Sequence, residues 1–170
     1  VTDAGNKTYG FIDGNTTGDD YSYDALSGNL TADKNKKILS IAYKYMNLPH
    51  TIIFDLGSSK TGTINFAYDA FGVKQAKTIT LAGPNIRPNP QTTEYSGTFV
   101  YDGPKNDVKS LQYFTQEEGY VKPTTVGGQT FQYVYQYKDL LGNKRLTYAD
   151  DDLTATVHLN IIEESNYDPF

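Results

Sequence analysis

The chain has 170 residues and a formal charge of −5; it contains fifteen Tyr and eight Phe, with no Trp and no Cys. That length makes one large or two small domains with room for a core, and the missing cysteine excludes a disulfide framework and thiolate metal sites. Lys and Arg are scattered without a basic patch, which argues against nucleic acid, and no apolar run approaches bilayer length, which argues against membrane insertion.

Abundant Tyr, Thr and Gly favour strands joined by turns. Residues 1–24 are polar, with strand-like pieces at 7–12 and 21–23. Asn-x-Thr triplets at Asn6, Asn15 and Asn29 are glycan acceptors if exposed, although a Thr- and Asn-rich segment also produces such triplets by chance. Residues 36–46 fit two periods: Ile38, Ile41, Ala42 and Tyr45 suit a helix, while Ile41, Tyr43 and Tyr45 suit a strand. The β-branched and aromatic content, with the turn Asn47-Leu48-Pro49, favours the strand. A short buried strand follows at 51–56, then the turn Gly57-Ser58-Ser59-Lys60. Ile64, Phe66 and Tyr68 alternate, Asp69-Ala70-Phe71-Gly72 turns, and 78–81 returns.

Residues 84–94 hold Pro84, Pro88 and Pro90, which remove donors and stiffen the chain, so this stretch reads as a linker. Beyond it come a strand at 98–101, a turn at Asp102-Gly103-Pro104, a strand at 110–115 and a long connection over 119–128. The clearest signal lies at 130–162. Phe131, Tyr133, Tyr135 and Tyr137 alternate with polar or smaller residues, which places the rings on one strand face. A turn at Asp139-Leu140-Leu141-Gly142-Asn143-Lys144 and a second alternating run, Ala155, Val157, Leu159 and Ile161, complete an expected hairpin with its apolar face buried.

The turns at Asp69 and Asp139 echo each other seventy positions apart when aligned on Asp, Gly and Lys. With turn signals every 8–12 residues, this predicts an all-β fold: antiparallel Ig-like β-sandwiches in tandem, one over 1–83 and one over 95–170, or a single larger sandwich. The run from Asp139 to Asn160, and less closely that from Asp69 to Leu81, resembles the last hairpin of bacterial extracellular Ig-like or cadherin-like repeats. That resemblance covers about a third of the chain. It implies a stalk or adhesive module of a surface protein, sometimes with calcium between domains.

No reaction centre is legible. His50 and His158 are the only histidines, and no serine sits in a nucleophile-elbow pattern. Asp150-Asp151-Asp152 is a candidate calcium cluster, since hard oxygen donors on loops suit that ion, although consecutive Asp is also ordinary solvated turn chemistry. Tyr43, Tyr45, Tyr95 and Tyr101 fall near turns or strand ends, and so do Tyr21, Tyr23, Tyr113 and Tyr120, the candidates for ligand contact. The expectation is a non-enzymatic, extracellular module of a microbial surface protein. Its partner would be a host or neighbouring-cell glycan or protein, or like subunits in a filament joined by strand exchange. A third reading is a carbohydrate-active enzyme, whose glycoside chemistry would use paired carboxylates, or the accessory domain of one.

Overall fold

The computed structural model describes residues 14–15, 17–87, 89–125, 128, 130–150, 156 and 158–165. The fold is all-β, an antiparallel sheet of thirteen strands whose order in the sheet is their order in the chain. The described residues include no α-helix, and no helix long and apolar enough to cross a membrane. The chain divides into two compact units, the first reaching Glu94 and including Gly103–Val108, the second taking Tyr95–Asp102 and the residues from Lys109 onward.

The first unit contains β1 (Tyr21–Tyr23), β2 (Leu30–Asp33), β3 (Ile38–Tyr43), β4 (Pro49–Gly57), β5 (Lys60–Tyr68), β6 (Lys74–Ala82) and the start of β7 (Gln91–Ser96). Period-two alternation sorts its side chains into two kinds of row. Ile41, Ile52, Ile64 and Ile79 stand opposite one another across β3 to β6. The adjacent row, on the other face, is Ala42, Thr51, Asn65, Thr78 and Thr92. Its polar members are cross-linked: Thr51 Oγ1 donates to Asn65 Oδ1 at 2.8 Å, and the hydroxyls of Thr78 and Thr92 lie 2.9 Å apart. Cross-strand pairs of this kind each stabilise a sheet by roughly 0.2–1 kcal/mol.

The second unit contains β8 (Phe99–Pro104) as far as Asp102, β9 (Ser110–Gln116), β10 (Gly119–Pro123), β11 (Phe131–Lys138), β12 (Lys144–Asp150) and β13 (Leu159–Glu164). The buried apolar residues among those described, Val100, Val121, Val134 and Ala149, all belong to it. Substantial strand–strand contact among the described residues is between neighbours in the chain.

Several sequence expectations are corrected here. The partner of the aromatic strand β11 is β12, at 144–150, and the later alternating run supplies the next strand, β13. In β12 the alternation of Leu146 and Tyr148 with Thr147 and Ala149 is masked by its charged ends, Lys144, Arg145 and Asp150. Part of the expected 119–128 connection is β10, whose Gly, Lys and Pro have poor strand propensity; it is a strand because β9 and β11 pair with it from both sides. Asp102 to Pro104 ends β8, and the turn follows it. Residues 91–94 of the proline-containing stretch are strand, paired with β6. The strand-like piece at 7–12 lies outside the described residues.

The two echoing turns have one architecture. Asp139 Oδ1 accepts from the Leu141 and Asn143 amides at 3.0 and 2.9 Å, and the Asp139 amide donates to the Asn143 carbonyl at 2.9 Å. Asp69 Oδ1 accepts from Phe71 and Val73, both at 2.9 Å, and its amide donates to the Val73 carbonyl at 3.0 Å. Gly72 and Gly142 share φ of 82°, the left-handed conformation that only glycine adopts without strain. Bulges precede both turns, at Ala67/Tyr68 and Tyr137/Lys138.

Candidate functional site

Strand register in the second unit builds two unlike faces. On one, Phe99 stands opposite Phe114, Phe114 opposite Val121 and Val121 opposite Tyr133. Phe131 and Tyr135 flank Tyr133 on the same side of β11, and Tyr148 is opposite Tyr135. The rings meet in two groups: Phe99 and Phe114 have centroids 5.2 Å apart and Phe114 and Phe131 6.2 Å, and separately Tyr135 stacks on Tyr148 at 5.6 Å. Beneath them Val121 is buried, but the rings are not: Phe131 is 45% exposed, Tyr133 54% and Tyr137 63%.

This overturns the expected buried stripe. Alternation located the face correctly, but it is Gln132 and Val134, on the other side of β11, that are buried. Period two tells which residues share a face and not which face is covered.

The reverse face runs through the register row Tyr120, Val134, Ala149 and Asn160. Small side chains in its middle lie below taller ones on neighbouring strands. Val134 is wholly buried, and Thr147 and Ala149 nearly so. Beside this row Lys122 is opposite Gln132. A cavity of about 310 Å³ opens here, lined by Lys122, Thr124, Gln132, Ala149, Asn160 and Ile162 among others. At its base Gln132 is fixed by donating Nε2 to the Asp150 carbonyl at 2.5 Å.

Two of the four candidate ligand tyrosines are brought together on this reverse side, Tyr113 and Tyr120, with ring centroids 5.4 Å apart. Burial pushes the Tyr120 phenol above its ordinary pKa, and the nearby Glu163 and Tyr113 add to the effect. Tyr21 and Tyr23 are in the first unit, on β1; Tyr21 is half-buried opposite Asp33 and Tyr23 points to solvent.

Of the candidate calcium ligands, Asp151 and Asp152 lie outside the described residues. Asp150 ends β12 and accepts the His158 amide at 3.2 Å. Among the described residues no three His, Asp or Glu side chains are grouped to hold a metal ion. His50 Nδ1 is 2.9 Å from Thr51 Oγ1, at the end of the Thr–Asn link described above. Asn6 is outside the described residues. The Asn15 amide donates to the Thr17 carbonyl at 2.8 Å and Asp20 Oδ1 at 3.0 Å, and the Asn29 amide donates to Asn47 Oδ1 at 3.3 Å. A glycan leaves the amide one N–H, so it would displace one of the two Asn15 bonds, whereas the single Asn29 bond can be kept.

Sequence reasoning missed Phe99 and Phe114 as members of the ring array, and Lys122, Gln132 and Asn160 as a group. Each comes from a different strand, so only register joins them. Comparison of the chain with protein-family models, curated protein sequences and solved structures gives no match.

Proposed function

We propose that this chain is a non-catalytic, extracellular binding module of a microbial surface protein, which holds a protein or glycan partner against the aromatic face of its second unit. The observation that carries this reading is the line of rings across β8, β9 and β11, with Tyr133 and Tyr137 more than half exposed. Contiguous exposed aromatic surface is costly in water and marks a place where something docks. Tyr suits that use because its ring packs while its hydroxyl stays hydrogen-bonded. The likeness of the Asp139 hairpin to bacterial surface repeats supplies the extracellular setting. In the Ig-like sandwich reading, the same aromatic face is the one a second layer would cover.

A glycan and peptide array probed with the purified chain tests the adhesive role. Hits should weaken about tenfold or more when Phe131 and Tyr133 are both changed to Ser. An array without hits, or hits indifferent to that change, would sink the reading.

A second reading, a filament subunit joined by strand exchange, is favoured by β13. It ends the strand order, and Leu159, Ile161 and Ile162 are all exposed. Electron microscopy and size exclusion separate the two, since a stable monomer is incompatible with the filament.

A further inference from the structure

We propose that the cavity on the reverse face of the second unit is a separate binding site for a carboxylate-bearing sugar unit. The site does not depend on the aromatic face. Its volume of about 310 Å³ is at the small end for ligand pockets, which suits one sugar ring with its substituents.

The lining matches that ligand group by group. Lys122 carries the only formal charge among the lining side chains, and no ion pair engages it among the described residues. On a protein whose net charge is −5, a lysine left without a carboxylate partner at the mouth of a cavity selects an anion. Gln132 and Asn160 add carboxamides, and Thr124 a hydroxyl, all suited to ring hydroxyls. Ala149 and Ile162 give an apolar patch for the C–H side of the ring.

Gln132 is 8% exposed yet lines the cavity, and its Nε2 is committed to the Asp150 carbonyl, so its orientation is set before any ligand arrives. The Asp150 carbonyl satisfies the donor end of this buried carboxamide, a bond no apolar residue could make. Lys122, Gln132 and Asn160 stand on β10, β11 and β13, the first two directly paired in register, and Thr124 follows the end of β10.

The test is a titration of the intact chain, followed by NMR, with glucuronate, glucose and acetate, repeated on Lys122→Gln. Glucuronate should bind saturably, more tightly than either glucose or acetate, and Lys122→Gln should weaken it about tenfold and remove most of its advantage over glucose. Lys122 is half-buried and Gln keeps its polarity, so the variant should fold; its unfolding midpoint in urea verifies this. No saturable glucuronate binding overturns the proposal, as does binding that survives Lys122→Gln. Acetate binding as tightly as glucuronate would show a bare anion site and overturn the sugar assignment. Array hits that depend on Phe131 and Tyr133 would be untouched by any of these results, so the two sites stand or fall separately.

Discussion

A single carboxylate organises each of the two echoing turns, and the pair differ in how fully that carboxylate is used. Asp139 Oδ2 accepts from Asn143 Nδ2 and Arg145 Nε, both at 3.0 Å, with Arg145 Nη2 at 2.9 Å. Hydrogen bonding from Asn143 comes first among the causes that hold the Asp139 carboxyl below its ordinary pKa of 3.8; its partial burial opposes them, and the bonds from Arg145 and the Leu141 amide add to them. A carboxyl whose pKa is lower in the folded state stabilises the fold above its unfolded pKa, and loses that contribution as pH falls through the folded value. Asp139→Asn should therefore destabilise the β11–β12 hairpin at neutral pH, seen as faster amide exchange at Leu141 and Asn143. The difference from the parent chain should shrink as pH drops from about 4 toward the lowered folded value. A gap that stays constant with pH would show that the turn does not depend on the ionised form.

At the level of elements, the first turn keeps the same backbone bonds but replaces Asn143 and Arg145 with Val73 and Gln75; only Gln75 Nε2 reaches Asp69 Oδ2, at 3.1 Å. Installing Asn and Arg there, as V73N/Q75R, should raise the stability of the first unit by about 0.5 kcal/mol in urea unfolding, the ordinary worth of an exposed hydrogen bond or ion pair. This echo was legible in the sequence because an Asp, a Gly and a closing Lys at fixed offsets dictate a turn locally. So was the strand character of 38–43 and 131–138, where β-branched and aromatic residues dominate. What escaped sequence reading was set by neighbours. The sequence of β10 reads as loop, and Gly119 is required there by crowding: a Cβ at that position would collide with the Val134 carbonyl oxygen, a contact invisible without the register. Likewise Tyr113 and Tyr120 could be named as candidates, but not as partners. Lys122 with Gln132 could not be named at all, since they meet only when β10 pairs with β11.

For the molecule as a whole, the question is where its apolar surface goes. The aromatic face of the second unit has Phe99, Phe131, Tyr133 and Tyr137 all substantially open to water, and in the first unit Ile79 and Leu81 are likewise exposed. If Tyr133 is docking surface, Tyr133→Ser should change the unfolding free energy by less than about 1 kcal/mol, as surface substitutions do. Were it core, the cost would be about 3–5 kcal/mol. Urea denaturation decides between them, and a large loss would mean that the ring is covered in solution.

The arrangement in which every strand bonds to its predecessor and successor carries a mechanical corollary. Each strand pairs with its neighbours in the chain, the most local pairing open to an antiparallel sheet, which favours quick folding among all-β folds. A tether drawn from both ends of such a unit would open like a zip, one rung at a time and at modest force, and close again when slack returns. In the adhesive role proposed above, such a unit would yield by lengthening before it lets go.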